Sequence, residues 1–160
     1  MDIGIRRILF PTDFSPAAQH AQNYAVMLAE RFSAELHSLH VIPDPYPIPG
    51  SEGSWILSDD TVPKRTHEAE LELAVRMEAA LAANLTVVRA VMVGQPVQDI
   101  IDYSKTHAID LIVIGTHGHT GLSRLLLGSV AEKIVRLATC PVLTVHPKDH
   151  PFRADESPAT

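Results

Sequence analysis

Apolar residues along the chain follow two alternating periods, one typical of buried strands and one typical of amphipathic helices. Short apolar runs predict five strands, at residues 6–10, 35–42, 86–93, 109–114 and 141–145. Between them, apolar positions recur at helical spacing, which predicts helices over residues 16–32, 63–84 and 96–106 and a last helix after residue 128. Strands that alternate with helices predict right-handed crossovers and one doubly wound parallel sheet.

Two of these helices have recognisable starts. Ser15 is followed by Pro16, the order expected of a hydroxyl N-cap and a proline at the first helical position. Ser129 and Glu132 have the S-x-x-E spacing of a capping box, so we expect Ser129 to cap the last helix. For the helix over residues 63–84, the apolar stripe predicts an inward face made of Leu71, Ala74, Val75, Leu81 and Ala82.

Three segments depart from this regular alternation. Residues 43–63 contain five prolines and two glycines, which predicts a long loop inside a single domain of residues 1–147. Residues 148–160 are polar and are expected to form a flexible tail. The second strand is unusually polar for the centre of a sheet, because it carries His37, Ser38 and His40.

Glycines mark a candidate phosphate site after the fourth strand. Gly115 and Gly118 follow that strand, and after nine further residues Gly128 and Ser129 open a helix. Glycine lets backbone N–H groups approach a ligand closely, and a helix start adds unpaired N–H donors and the positive end of the dipole. Neither GxxxxGK[ST] nor GxGxxG is present. The pattern therefore predicts a nucleotide site of another type.

Three candidate residues fall at the carboxyl ends of predicted strands. These ends meet at one edge of a parallel sheet, where such folds bind ligands, and Asp13, Val41 and Gly115 all lie there. Asp13 could initiate the turn before Ser15, or its carboxylate could accept hydrogen bonds from ribose hydroxyls. Ser129 could cap its helix, hold phosphate, or do both.

Four sequence fragments carry a family resemblance. The spacing G-x-x-G, nine residues, then G-S resembles the ATP-binding loop of the universal stress protein family. ILFPTDFSPAA at residues 8–18 resembles that family's first strand and turn, LHVI at 39–42 its second strand, and VGQP at 93–96 its third strand and turn. The resemblance runs from about residue 6 to residue 146 and leaves out the 43–63 loop and the tail.

The resemblance implies a fold, a ligand and a set of contacts. The fold would be a five-stranded sheet in the order 3-2-1-4-5, of the adenine nucleotide alpha hydrolase-like type. The ligand would be ATP, or AMP or ADP, with Mg²⁺ or Mn²⁺. Asp13 would hold the ribose, Val41 would frame the adenine, and Gly115 would pack against the sugar. The residues around the phosphates would be Gly118, His119, Gly128, Ser129 and Val130. The implied nucleotide-binding residues are Pro11, Thr12, Asp13, Val41, Gly115, Thr116, Gly118, His119, Gly128, Ser129 and Val130.

The resemblance also implies partners. Members of the family are regulatory modules and often homodimers, joined through the last strand, here residues 141–145, whose apolar edge invites pairing. A regulatory protein partner is implied but not identified. His117 and His119 flank Gly118, but no third ligand stands at a recognisable spacing, so a protein-held zinc ion is not expected.

Bulk properties narrow the class of protein. A chain of 160 residues with 46% hydrophobic and 20% charged residues is of ordinary composition for one globular domain. Its formal net charge of −6 gives no basic footprint for nucleic acid. The sequence shows no apolar stretch of membrane length, and its single cysteine excludes an internal disulfide. We therefore expect a cytoplasmic protein that binds neither nucleic acid nor membrane.

Two other functions remain open on sequence alone. The first is an enzyme of the same architecture that hydrolyses ATP or transfers a nucleotidyl group. The loop shows no lysine and no positioned general base, so we expect at most slow hydrolysis. The second is an interaction module without nucleotide, which the intact glycine pattern disfavours.

Overall fold

Five parallel strands form a single sheet in the order β3-β2-β1-β4-β5. The structure is a computed structural model that describes residues 4–44, 61–116 and 128–146. The strands are β1 (Arg7–Pro11), β2 (Glu35–Pro43), β3 (Val87–Gly94), β4 (Leu111–Gly115) and β5 (Val142–Val145). The doubly wound parallel sheet and its 3-2-1-4-5 order are thereby confirmed.

Helices cover both faces of this sheet. They are α1 (Pro16–Phe32), α2 (Thr61–Arg76), α3 (Glu78–Ala82), α4 (Pro96–Thr106) and α5 (Ser129–Leu137). Because side chains alternate along a strand, Ile8 and Phe10 of β1 pack with the alanines of α1, whereas Leu9 packs in a second core with α4 and α5. β1, β2 and β4 are thus buried on both faces, which accounts for their nearly continuous apolar runs.

Strand order reverses between β1 and β4. From β1 the chain runs outward through β2 to β3, and it then returns to the other side of β1 to form β4 and β5. Ile8 pairs with Leu111 and Pro11 with Leu39, so the carboxyl ends of these three strands lie side by side. This edge is the topological switch point at which doubly wound sheets bind ligands.

The start of α1 has the predicted geometry. Ser15 is the N-cap, its hydroxyl accepts a hydrogen bond from the Ala18 N–H at 3.2 Å, and Pro16 follows at the first helical turn. The alanines of the inward face, from Ala17 to Ala29, are almost fully buried. Small side chains there let the helix backbone come close to the sheet.

The inward face predicted for residues 63–84 is wrong. The structure buries Ala69, Leu73, Met77 and Ala80, whereas Leu71 and Val75 are 55% and 69% exposed. Leu81 is also exposed. Positions 71 and 73 lie about 200° apart on a helix with 3.6 residues per turn, so α2 carries apolar stripes on nearly opposite faces. Only contact with the sheet decides which stripe is buried.

The single helix predicted over residues 63–84 is instead two helices. The helix is interrupted at Met77, between α2 and α3. The side-chain amide of Gln22 on α1 donates a 2.8 Å hydrogen bond to the Arg76 carbonyl at this break. A side chain that enters the hydrogen-bond ladder in this way bends a helix, and the spacing of apolar residues does not reveal it.

The loop predicted over residues 43–63 is shorter at both ends, because Pro43 belongs to β2 and α2 begins at Thr61. Residues 45–60 and the predicted tail over 148–160 lie outside the described residues. Among the helices of the described part, none has the length and apolar character needed to cross a membrane.

Candidate functional site

A cavity of about 490 Å³ lies at the carboxyl ends of β1, β2 and β4 and at the start of α5. That volume lies within the range of roughly 300–1,000 Å³ typical of small-molecule sites. Nine of the sequence-predicted site residues line it: Pro11, Thr12, Asp13, Val41, Gly115, Thr116, Gly128, Ser129 and Val130. The other two, Gly118 and His119, lie outside the described residues.

The turn between β1 and α1 forms one wall of the cavity. The Thr12 hydroxyl accepts a hydrogen bond from the Phe14 N–H at 3.1 Å, and the Asp13 carboxylate accepts one from the Ser15 N–H at 3.0 Å. The Thr12 N–H donates to the Leu39 carbonyl of β2 at 2.9 Å. Asp13 therefore does initiate the turn. A carboxylate offers about four lone-pair positions, so the turn does not exhaust its capacity as an acceptor.

Gly115 brings β4 close to the start of α1. A Cβ atom at this position would lie 2.9 Å from the Ala17 carbonyl oxygen and 3.1 Å from its carbon. Both atoms belong to the backbone and have no side-chain freedom to move aside. The tight approach of α1 to the sheet therefore suffices to require glycine here, whether or not a sugar also packs against it.

The capping box predicted for Ser129 and Glu132 is wrong. Gly128 is the N-cap of α5, no side chain caps this helix, and Ser129 is its first residue. The Gly128 carbonyl accepts the first helical hydrogen bond, from the Glu132 N–H at 2.9 Å, while the Gly128 N–H donates to the Thr116 carbonyl. The Glu132 carboxylate pairs instead with Arg136 at 3.0 Å. The contact with Thr116 shifts the cap by one residue and leaves Ser129 exposed at the cavity.

The start of α5 gives the cavity an electropositive end. The first N–H groups of a helix have no partner within the helix, and the helix dipole adds a partial positive charge there. Those groups belong here to Ser129, Val130 and Ala131, all of which line the cavity. This end can hold an anion through main-chain donors.

Sequence reasoning missed His40. Its Nδ1 lies 2.8 Å from the Thr12 carbonyl oxygen and must carry the proton, since a carbonyl only accepts. Burial lowers the pKa of His40 below 6.5, against the opposing effects of Thr12 and Asp13, and nearby Arg65 lowers it further. Burial therefore favours the neutral imidazole. The polarity of the second strand was the available signal.

Sequence reasoning also missed Arg65. It lies on α2 and lines the cavity, and among the described lining residues it alone carries a full positive charge. Nothing in the sequence marks this arginine, because only the packing of α2 brings it to the switch point.

Apolar groups also line the cavity. They belong to Leu39, Val41, Pro43, Pro96, Ile100 and Ile114. A cavity with an apolar wall, a carboxylate and a helix start suits a ligand that combines a flat apolar group, hydroxyls and an anion. Within the described ranges, no three His, Cys, Asp or Glu residues are grouped so that they could hold a metal ion.

The chain is similar to known proteins over most of its length. A model of the universal stress protein family matches residues 4–146. Universal stress protein MJ0531 of Methanocaldococcus jannaschii is 37% identical over 142 residues, which cover 88% of this chain and 81% of the relative.

Solved structures have the same fold, which is of the adenine nucleotide alpha hydrolase-like type. Protein MJ0577 of the same archaeon matches with a TM-score of 0.78 and 28% identity. The match covers 92% of this chain and 99% of the MJ0577 chain. A universal stress protein in complex with cAMP matches with a TM-score of 0.65 and 23% identity, covering 90% of this chain and 99% of its own.

Proposed function

The chain belongs to the universal stress protein family, and from this premise we propose that it binds an adenine nucleotide at the switch point of its sheet. One observation carries the proposal: the Asp13 turn, the end of β2 at Val41 and the start of α5 border a single cavity. A protein of the same fold in complex with cAMP, an adenine nucleotide, supports the class of ligand.

Each part of the nucleotide has a matching part of the cavity. The adenine would lie against the apolar wall, framed by the backbone of Val41. The ribose hydroxyls would donate hydrogen bonds to the Asp13 carboxylate, close to Pro11 and Thr12. The phosphates would accept hydrogen bonds from the N–H groups of Ser129 and Val130 and from the Ser129 hydroxyl. Gly128, Thr116 and Gly115 would allow the phosphates to approach closely. Gly118 and His119 complete the proposed phosphate contacts.

We propose ATP as the ligand, with AMP or ADP as alternatives. The described lining residues carry one full positive charge, that of Arg65. Main-chain donors and one arginine leave much of a triphosphate's charge uncompensated. Mg²⁺ or Mn²⁺ bridging the phosphate oxygens would supply the remainder, in the way that Mg²⁺ commonly binds nucleotides.

We propose binding and regulation rather than efficient catalysis. Phosphoryl transfer needs a group that positions or activates the attacking nucleophile. Among the described residues of the cavity, the candidates are Asp13 and His40. Asp13 would hold the sugar, and burial lowers the pKa of His40, which makes its imidazole a weaker base. The proposed role is therefore that of a nucleotide-bound regulatory module with at most slow hydrolysis, acting on a protein partner that remains to be identified.

The ribose contact leads to a quantitative prediction. If Asp13 accepts from the ribose hydroxyls, ATP will bind at least about tenfold more tightly than 2′-deoxy-ATP, since a hydrogen bond to a charged group contributes about 1.5–3 kcal/mol. Asp13→Ala should abolish this preference. Isothermal titration calorimetry of both nucleotides on both proteins measures it. Equal affinities in the wild-type protein would limit Asp13 to its role in the turn.

We also propose a homodimer that pairs the β5 strands, the element predicted over residues 141–145. β5 lies at an edge of the sheet, and its outward Leu143 is 36% exposed. An apolar strand with an unpaired edge favours pairing with a symmetry mate.

The dimer proposal is tested by the mass of the protein in solution. Leu143→Lys places a charge on the edge, so sedimentation should show a dimer for the wild-type protein and a monomer for the variant. A monomeric wild-type protein, or a variant that remains fully dimeric, would contradict pairing through β5.

A further inference from the structure

The turn that carries Asp13 contains a residue in an unfavourable backbone conformation. Phe14 has φ 63°, in the left-handed region that residues other than glycine rarely adopt. The residue lies between Asp13 and Ser15, and the Ser15 N–H donates a 3.0 Å hydrogen bond across it to the Asp13 carboxylate, so its conformation affects how that carboxylate is held. A conformation of this kind persists only where the surrounding structure holds it in place.

Arg76, the last residue of α2, contacts Phe14 in two ways. One guanidinium nitrogen, Nη2, lies 3.3 Å from the Phe14 carbonyl oxygen, and Cζ lies 5.3 Å from the centre of the Phe14 ring. The first contact is a hydrogen bond from a charged donor and the second is a cation–π interaction. Both act on the one residue of the turn whose backbone is strained.

The guanidinium of Arg76 is itself held by two other partners. Its Nε donates to Glu72 at 2.6 Å within α2, and its Nη1 donates to Gln19 of α1 at 2.9 Å. Arginine can make these contacts together because its donors form a rigid planar fork. The Arg76 side chain thus connects α2 with α1 and with the turn after β1.

The Phe14 ring also stacks on His40, with the ring centres 4.3 Å apart and the planes at 24°. His40 in turn donates to the Thr12 carbonyl. Contacts from α2 and β2 therefore meet at Phe14, on either side of which lie Asp13 and the N-cap Ser15. Arg76 does not line the cavity, so any effect it has on a ligand must pass through this turn.

We propose that Arg76 is a positioning residue for the nucleotide site, because through Phe14 it holds the turn in the conformation that presents Asp13 to the ribose. This inference rests on the proposed function for its effect on binding, but the effect on the turn itself does not require a nucleotide. It makes the placement of α2 a determinant of sugar recognition.

The first arm of the test measures sugar discrimination. In Arg76→Ala the preference for ATP over 2′-deoxy-ATP should fall from at least about tenfold to under about threefold, because ATP loses more affinity than 2′-deoxy-ATP, which has one ribose hydroxyl fewer. Arg76→Ala should have no further effect on ATP affinity in an Asp13→Ala background, as expected when one residue acts through the other. A general loss of structure would instead weaken the binding of both nucleotides to the same extent and leave their ratio unchanged.

Arg136→Ala is the matched control. It removes an arginine that pairs with a glutamate four residues earlier, as Arg76 does, but on α5 and away from the turn. Its ratio of ATP to 2′-deoxy-ATP affinity should equal that of the wild-type protein.

The second arm needs no nucleotide and separates this inference from the proposed function. The Ser15 N–H, which donates to Asp13, should exchange with solvent at least about tenfold faster in Arg76→Ala, whereas the buried Ile134 N–H of α5 should keep its protection. If the wild-type protein does not prefer ATP over 2′-deoxy-ATP, the proposed contact between Asp13 and the ribose is wrong. The exchange rate of the Ser15 N–H then decides the role of Arg76 by itself. Unchanged Ser15 exchange, or an undiminished nucleotide preference in folded Arg76→Ala, would overturn the inference.

Discussion

Gly128→Val is expected to lower the affinity for ATP by at least about 100-fold while the protein remains folded. Gly128 precedes the first turn of α5, and its side chain would enter the space where phosphate must approach the N–H groups of Ser129 and Val130. Each hydrogen bond to a charged group contributes about 1.5–3 kcal/mol, so the loss of two exceeds about 3 kcal/mol. Calorimetric titration with ATP and Mg²⁺ measures the change.

The fold should tolerate this substitution. Gly128 has φ −56° and ψ 148°, a conformation that valine adopts without strain. Gly4→Val is a suitable control, since a Cβ atom at Gly4 meets nothing within 4 Å. If folded Gly128→Val bound ATP as tightly as the control variant, the phosphates could not lie at the start of α5.

Gly115→Val should have the largest effect on stability, with a loss of about 3 kcal/mol in the free energy of unfolding. The added Cβ would lie 2.9 Å from the Ala17 carbonyl oxygen, closer than real contacts of this kind. Overpacking a dense core typically costs about 1–3 kcal/mol, and here the obstacle is the backbone of α1, which can yield only if the helix moves. Urea denaturation followed by circular dichroism measures the loss.

Gly94→Ala provides a graded comparison for Gly115→Val. A Cβ atom at Gly94 meets the Asp99 carboxylate, the far end of a side chain that can rotate away. Gly94→Ala should therefore lower the free energy of unfolding clearly less than Gly115→Val does. Equal stability of Gly115→Val and the wild-type protein would show that α1 does not need the close approach at β4.

Much of the fold could be predicted from local patterns. Strand and helix periods result from backbone geometry, so β1 to β5 and α4 were located to within about two residues, an ordinary uncertainty for element ends. The start of α1 was predicted correctly because Ser15 and Pro16 act on their own turn. The sheet order came from the family resemblance, and the parallel direction from the alternation of elements.

The edge on which the cavity lies could also be predicted. Asp13, Val41 and Gly115 each follow a strand, and parallel strands bring their carboxyl ends together whatever their separation in sequence. Nine of the predicted site residues accordingly meet at one cavity. Their roles in binding a nucleotide remain predictions.

Details decided by one contact between distant segments were not predictable. The capping box at Ser129 failed because the Gly128 N–H donates to Thr116, twelve positions earlier, and this moved the cap by one residue. The break at Met77 arises where Gln22 reaches the Arg76 carbonyl, 54 positions away. Neither pairing leaves a trace in the spacing of apolar residues.

By itself, the sequence determined the alternation of strands and helices, the parallel sheet and the edge at which its candidate site lies, because these follow from periods and turns encoded within a few residues. Only the tertiary structure decided which stripe of α2 is buried, and with it the positions of Arg65 and Arg76. Both stripes are apolar, so local preference does not distinguish them. Contact with the sheet does, and it brings Arg76 to Phe14 across 62 positions of the chain.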